Sequence, residues 1–122
     1  MKPEYDAVII GAGVAGCMAA TALGIRGPGL RTLLIDRNPN SEVGKKTTHG
    51  WICGDAVGEH HAKFVHDEIG ITFGAPEIEN RVNAIVVCSP DMKVKYPFEG
   101  AGYVLDRPRF ARRLLSEAIR TG

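Results

Sequence analysis

Three glycines near the start of the chain have the spacing of a phosphate-binding loop. Gly11, Gly13 and Gly16 form Gly-x-Gly-x-x-Gly directly after the apolar run Ala7–Ile10. The first glycine permits a tight turn, the second lets a pyrophosphate approach the backbone, and the third lets a helix pack closely against the strand. Phosphate is favoured there because the first N–H groups of a helix are unpaired and its dipole is positive. This spacing predicts a phosphate site that opens a helix.

A carboxylate follows at the distance expected for a ribose ligand. Asp36 ends the apolar run Thr32–Ile35 and stands twenty residues after Gly16. A carboxylate at this position accepts hydrogen bonds from ribose hydroxyls and repels a 2′-phosphate. Asp36 could instead be a solvated loop residue, since Arg-Asn-Pro-Asn follows it. Together with the glycine loop, Asp36 predicts an adenine dinucleotide without a 2′-phosphate.

The glycine loop and Asp36 need a strand, a helix and a second strand to position them. We predict a strand over 5–10, a helix over 14–26 and a strand over 31–36, which together have the size of one βαβ unit. The sequence Gly-Pro-Gly at 27–29 ends that helix. The helix face predicted to lie on the sheet consists of Ala15, Met18, Ala19, Ala22 and Leu23.

The second half of the chain alternates between helical and extended patterns. We predict a helix that runs from Asp55 as its N-cap to Ile69 and is closed by Gly70. A hairpin follows over 81–88 and 92–96, then an irregular segment over 96–102, a short strand over 103–107 and a helix that starts at Pro108. The sequence predicts an α/β, Rossmann-like fold with a parallel sheet, flanking helices and an added β-hairpin.

Composition limits the classes of partner. The 122 residues suffice for one domain, and the net charge of +1 gives no reason to expect nucleic acid. The three cysteines are widely spaced, with no secretory signal before them, which favours a reducing, cytoplasmic setting. The apolar stretch 11–25 is too short and interrupted to span a bilayer, so we expect no transmembrane segment.

Four histidines gather in the middle of the chain, near Cys53. They are His49, His60, His61 and His66. No Cys-x-x-Cys or His-x-x-x-His pair exists among them, and the spacing from His60 to His66 does not place two ligands on one helix face. We expect surface histidines here and no metal.

Four segments in this order resemble the geranylgeranyl reductase family of FAD-dependent enzymes. They are the glycine loop, Asp36, the segment 53–56 (Cys-Gly-Asp-Ala) and the segment 102–110 (Gly-Tyr-Val-Leu-Asp-Arg-Pro-Arg-Phe). That family is related to aromatic hydroxylases of the para-hydroxybenzoate hydroxylase type. Its archaeal members saturate isoprenoid chains of membrane ether lipids, and its plant members reduce the geranylgeranyl tail of chlorophyll precursors. The resemblance implies FAD as the cofactor and an FAD-binding version of the predicted fold.

The resemblance also implies a role for each matching residue. Asp36 would bind the adenosine ribose, where the family usually has Glu, and Arg107 would reach the ribityl-phosphate portion of FAD. Cys53 faces the flavin in the lipid-reducing members, which makes it the one candidate for proton transfer, although a packing role is the alternative. The residues that would contact the pyrophosphate through their backbone are Gly11, Gly13, Ala15 and Gly16. Those that would line the flavin are Cys53, Gly54 and Ala56, with Ala56 standing where glycine is common.

The matching segments cover only part of what the family carries. Its members are much longer and have a second flavin motif and a substrate domain, and neither is found in 1–122. We therefore interpret 1–122 as the N-terminal portion of an FAD-binding domain without a substrate domain. An isoprenoid lipid would be the substrate only in a complete enzyme, which would be cytoplasmic and peripheral to the membrane. The open side of the flavin site would favour a partner chain or self-association.

Two functions of different classes account for these features. The first is the FAD-binding portion of an oxidoreductase that saturates isoprenoid C=C bonds by hydride transfer from reduced flavin. We expect this chain by itself to lack turnover. The second is a non-catalytic nucleotide-binding module that senses NAD or ADP. It explains the length better and the segments at 53–56 and 102–110 less well.

Overall fold

The structure is a computed structural model that describes residues 4–39 and 55–122. These described ranges form three helices and five strands. Their order is β1 (Ala7–Ile10), α1 (Val14–Arg26), β2 (Thr32–Ile35), β3 (Ala56–Gly58), α2 (Glu59–Ile69), β4 (Ile78–Cys88), β5 (Lys95–Leu105) and α3 (Arg107–Thr121).

β1 and β2 form a two-stranded parallel sheet, and the glycine loop follows β1 as predicted. Ala7 lies opposite Thr32 and Ile10 opposite Ile35, with α1 as the crossover between the two strands. Antiparallel strands can be joined by a tight turn, whereas parallel strands need such a crossover. The predicted βαβ unit is confirmed, and α1 has the predicted bounds.

A second sheet is antiparallel, in the order β3-β5-β4. The predicted hairpin is confirmed, with a turn in which Ser89 N donates to Val94 O at 2.9 Å. The prediction of an irregular segment over 96–102 is wrong, since these residues continue β5. Phe98 lies opposite Ile85, and a register shift between Val82 and Ala84 accommodates the longer pairing. Ladder hydrogen bonds to β4 thus outweigh the low strand propensity of the proline and glycines in this stretch.

The predicted N-cap at Asp55 is also wrong. Residues 56–58 form β3, which pairs with 102–104 of β5, and α2 begins only at Glu59 after Gly58. Residues 56–58 are extended because they pair with a strand more than forty residues away. The local sequence pattern carries no information about that pairing. The other end of α2 is as predicted, because Gly70 is its C-cap with a left-handed φ of 71°.

The buried face of α1 differs from the predicted one. Its buried side chains are Cys17, Ala20 and Thr21, whereas Ala15 and Ala19 are exposed. This small-residue face packs on α3. At its end, a Cβ added to Gly24 would lie 2.2 Å from the carbonyl oxygen of Thr121. Glycine is needed there because the backbones of the two helices are almost in contact.

The core lies between α1, α3 and the end of β5. α3 buries Phe110, Leu114 and Ala118 on one face. The buried apolar cluster comprises Cys17, Ala20, Ile71, Leu105, Phe110, Leu114 and Ala118. The contact at Gly24 joins the C-terminal ends of α1 and α3, and buried residues of both helices share this cluster along their lengths. We infer that α1 and α3 run in the same direction, with both N-termini at the same end of the molecule.

Many large apolar side chains remain exposed. Ile10 on β1 is 84% exposed. The outer half of the β4–β5 hairpin carries the largest group, namely Ile85, Val86, Val87, Met92, Val94, Tyr96 and Phe98. Within 4–39 and 55–122, no helix is both long and apolar enough to cross a membrane.

Candidate functional site

The turn from β1 into α1 requires glycine at its first and third motif positions. Gly11 has a φ of +104°, a region that L side chains rarely adopt, and its N–H donates to Ile35 O at 2.7 Å. A Cβ added to Gly16 would lie 1.8 Å from the carbonyl oxygen of Gly11. These two glycines are therefore demanded by the fold of the loop itself.

Gly13 is different, because nothing within residues 4–39 and 55–122 requires glycine there. Its φ of −75° and ψ of −170° are open to any residue, and a Cβ would meet no atom within 4 Å. Gly13 is the N-cap of α1 and is exposed, as is Ala15 in the first turn. The space beside Gly13 is open to a ligand at the unpaired N–H groups of the helix.

The second residue of the loop, Ala12, is held at both of its polar backbone groups. Its N–H donates to Oδ2 of Asp36 at 2.7 Å, and its carbonyl oxygen accepts from Sγ of Cys17 at 3.3 Å. Burial, and to a lesser degree the charge of Asp36, raises the pKa of the Cys17 thiol, which stays protonated as a donor. Neither Ala12 nor Cys17 was predicted as part of the site. Only the position of Cys17, one residue after Gly16, could have indicated that it faces the loop.

Asp36 lies at the predicted end of β2 and is oriented by the loop that it supports. Besides the bond from Ala12, its Oδ1 accepts from the N–H of Asn38 at 2.7 Å. The N–H groups of Asn38 and Ala12 together lower the pKa of this carboxyl group. The side chain is exposed, and each oxygen has a second lone pair for a further donor. Asp36 can therefore hold the loop and accept from a ligand at once.

Replacing Asp36 by asparagine should lower the free energy of unfolding by about 1 kcal/mol at neutral pH, since a charged acceptor is lost at an exposed site. The folded-state pKa is lowered, so this contribution is present above the unfolded-state value of about 3.9 and is lost as the pH falls through the folded-state value. Chemical denaturation of both proteins from neutral to acidic pH measures the difference. Asp91→Asn is the positive control, because Asp91 accepts comparable local bonds at the remote hairpin tip, its pKa is also lowered, and its loss should have the same pH dependence. No loss in Asp36→Asn, or a loss that does not shrink as the pH falls, would contradict the role of the ionised Asp36 carboxylate.

Arg107 is the first residue of α3 rather than part of the preceding loop. Asp106 is the N-cap, and its side chain accepts from the N–H of Arg109 at 3.0 Å. Because α1 and α3 run in the same direction, Arg107 lies at the end of the molecule that carries the glycine loop. The fold thus brings this predicted cation to the same end as the predicted phosphate site.

The segment that was predicted to line the flavin is described only from Asp55 onward. Cys53 and Gly54 lie outside the described residues. Ala56 is the exposed first residue of β3 and lies opposite Val104. Asp55 was not predicted as a ligand residue, yet its Oδ1 is buried and finds no hydrogen-bond partner within the described ranges. Its side chain is a feature that sequence reasoning missed.

The histidines are dispersed along α2 in the structure. The rings of His60 and His61 contact each other with centroids 3.8 Å apart, and His66 Nδ1 lies 2.9 Å from the hydroxyl oxygen of Thr72. His49 lies outside the described residues. Within the ranges 4–39 and 55–122, no group of three or more His, Cys, Asp or Glu side chains is placed to hold a metal ion.

The chain matches a known family over the residues of the candidate site. A family model described as an FAD-binding domain matches residues 6–68, just over half of the chain. The chain belongs to this FAD-binding domain family. The match begins before β1 and ends within α2, so it includes the whole glycine loop and Asp36.

Several proteins with similar sequences carry the name digeranylgeranylglycerophospholipid reductase. Digeranylgeranylglycerophospholipid reductase of Sulfolobus acidocaldarius is 39% identical over 94% of this chain and 23% of its own length. The enzyme of that name from Methanosphaerula palustris is 30% identical over the whole chain and 29% of its own length. The chain thus spans about a quarter of these relatives. The resemblance to geranylgeranyl reductases is confirmed.

Solved structures agree with this family. A geranylgeranyl bacteriochlorophyll reductase-like protein from Thermoplasma acidophilum superposes with a TM-score of 0.76 at 27% identity, over 97% of this chain and 28% of that one. A flavin-dependent brominase shares the fold, with a TM-score of 0.68 at 18% identity. The α/β fold predicted from the sequence is confirmed.

Proposed function

We propose that this chain is the FAD-binding portion of an oxidoreductase of the geranylgeranyl reductase type. The observation that carries the proposal is the open space at Gly13, in a loop whose other two glycines the fold itself requires. A glycine that no described part of the chain requires is explained by a ligand that must approach the backbone closely. The family and the names of its relatives indicate that this ligand is FAD.

The residues around this space fit the adenosine and phosphate parts of FAD. The backbone of Gly11, Gly13, Ala15 and Gly16 would contact the pyrophosphate at the N-terminus of α1. Asp36 would accept from the adenosine ribose with the lone pairs left by Ala12 and Asn38. Arg107 would place a positive charge near the ribityl-phosphate portion, because α3 starts at the same end as α1.

The flavin half of the site is proposed on the resemblance. Cys53, Gly54 and Ala56 would line the ring, and Cys53 is the candidate proton donor. When bound and reduced, FAD would supply a hydride, and a proton donor would complete the saturation of an isoprenoid C=C bond. The residues of this chain bind and orient the cofactor, and the buried Cys17 thiol keeps the loop in shape without entering the chemistry.

Substrate and setting follow from the same proposal. An isoprenoid lipid would be bound by the whole enzyme, since 1–122 corresponds to about a quarter of its relatives. The domain would be the N-terminal part of a cytoplasmic enzyme that works at the membrane surface. The exposed apolar side chains of β1 and of the hairpin support contact with further polypeptide, whether a partner chain or a second copy.

FAD should stabilise the purified chain more than any other nucleotide. Ligands that bind the native state raise the thermal midpoint in proportion to the logarithm of concentration over Kd. Thermal unfolding with equal concentrations of FAD, NAD, NADP and ADP measures this order, and NADP should rank last because Asp36 repels its 2′-phosphate. A larger shift with NAD than with FAD would favour the nucleotide-sensing module instead, and no shift with FAD would contradict the proposal.

A further inference from the structure

Asp55 has two features that lower the stability of the folded state and that the fold does not explain. Its backbone has a φ of +50°, in the left-handed region that favours glycine. One oxygen of its carboxylate, Oδ1, is buried and has no hydrogen-bond partner among the residues that the structure describes. A buried acceptor without a partner is destabilising, and so is a left-handed backbone in a residue that carries a Cβ. Such a combination is typical of residues kept for binding or catalysis.

The structural duties of this position do not need a carboxylate. The backbone carbonyl of Asp55 accepts from Leu105 N at 2.7 Å and so extends the pairing of β3 with β5. Any residue supplies that carbonyl, and glycine would supply it without strain. Asp55 is not the N-cap of α2 either, since β3 lies between them.

The position of Asp55 places it at the ligand end of the molecule. Leu105, its backbone partner, is followed at once by Asp106, the N-cap of α3. The N-terminus of α3 opens at the same end as the glycine loop. Asp55 therefore lies next to the N-terminus of α3, at the end of the molecule where FAD is proposed to bind.

A carboxylate can contact only those parts of FAD that donate a hydrogen bond. A carboxylate repels the pyrophosphate and accepts from hydroxyl or N–H groups. The adenosine ribose is already assigned to Asp36, at the end of β2. The ribityl hydroxyls and the ring N–H of the flavin are the remaining donors.

We propose that Asp55 binds the ribityl-flavin half of FAD by accepting a hydrogen bond from a hydroxyl or ring N–H group at Oδ1. The proposal rests on the proposed FAD function and adds a residue to it. Binding gives the buried oxygen its missing partner, and the left-handed backbone holds the carboxylate in place for it. Asp55 acts in positioning the cofactor, without a role in proton transfer.

The test uses Asp55→Gly with FAD and ADP as separate probes. Glycine relieves the left-handed strain and removes the buried oxygen, so the thermal midpoint without ligand should rise by about 4 °C. FAD affinity, measured by quenching of flavin fluorescence, should fall by about tenfold for the loss of one such bond. ADP affinity, measured by calorimetry, should be unchanged because ADP lacks the ribityl-flavin half. Asp55→Asn retains an oxygen acceptor and should lie between the wild type and Asp55→Gly.

Met92→Gly is the matched control, because Met92 has a φ of +59° in the hairpin turn and no carboxylate. It should raise the thermal midpoint and leave both affinities unchanged. Equal FAD affinity in the wild type and Asp55→Gly would overturn the role of Asp55 and leave the proposed function standing. If the wild-type chain binds FAD no more tightly than ADP, the flavin half of FAD adds no affinity, and the proposed function is overturned instead.

Discussion

Replacing Gly13 by alanine should leave the folded protein nearly as stable as the wild type and weaken FAD binding by about tenfold or more. The first part follows from the open space around Gly13 and from its ordinary backbone angles. Alanine is a poorer N-cap than glycine but restricts the unfolded chain, so the thermal midpoint should move by no more than about 3 °C.

The loss of affinity has a steric origin. A methyl group at residue 13 would occupy the space through which the pyrophosphate reaches the N-terminal N–H groups of α1. Forcing one extra carbon into a close contact costs about 1–3 kcal/mol, and about 1.4 kcal/mol corresponds to tenfold in Kd. ADP should lose affinity together with FAD, because both place phosphates at this turn.

Fluorescence titration with FAD and calorimetry with ADP measure the two affinities. Gly100→Ala is the matched control, since Gly100 lies in the hairpin with equally open space and no left-handed φ. It should change neither affinity. If Gly13→Ala binds FAD as tightly as the wild type, no phosphate group approaches the backbone at this position, and the main argument for the function fails.

Replacing Gly16 by alanine should have the opposite outcome, a large loss of stability. A Cβ there would lie 1.8 Å from the carbonyl oxygen of Gly11, a backbone atom that cannot move without opening the turn. Alanine would otherwise favour the helix by about 1 kcal/mol. The clash outweighs this gain, and we expect the free energy of unfolding to fall by about 3 kcal/mol.

Thermal and chemical denaturation without ligand test this expectation. The thermal midpoint should fall by about 10 °C or more for a domain of this size. Gly13→Ala serves as the control in the same loop, because it adds the same methyl group to open space. A Gly16→Ala protein as stable as the wild type would mean that α1 does not pack on the turn as closely as the structure has it.

The elements of the first half were predictable because their signals are local. The glycine spacing, the apolar runs on both sides and the Gly-Pro-Gly stop together predicted β1, α1 and β2, and the structure and the FAD-binding family agree with them. Asp36 was found by its distance from Gly16. Its bond to Ala12 was not, because a hydrogen bond between residues 24 positions apart leaves no mark in either local segment.

The errors fall where distant strands meet. Residues 56–58 and 96–102 were read as a helix start and an irregular segment, and both became strands by pairing with β5 and β4. The buried face of α1 was misplaced for a related reason. Small residues carry little hydrophobic signal, yet Cys17, Ala20 and Gly24 are what allow α3 to approach.

The sequence by itself determined a Gly-x-Gly-x-x-Gly turn between a strand and a helix, and membership of a family of FAD-binding domains. Motif spacing and residue type carry that information, since backbone conformation near glycine is a local property. The tertiary structure supplied the physical basis for the separate roles that the spacing had assigned: a left-handed φ at Gly11, a clash for any Cβ at Gly16, and open space among the described residues at Gly13. It also decided that Asp55 is a strained residue with a buried oxygen, because strain and burial depend on what surrounds a residue and not on its neighbours in the chain.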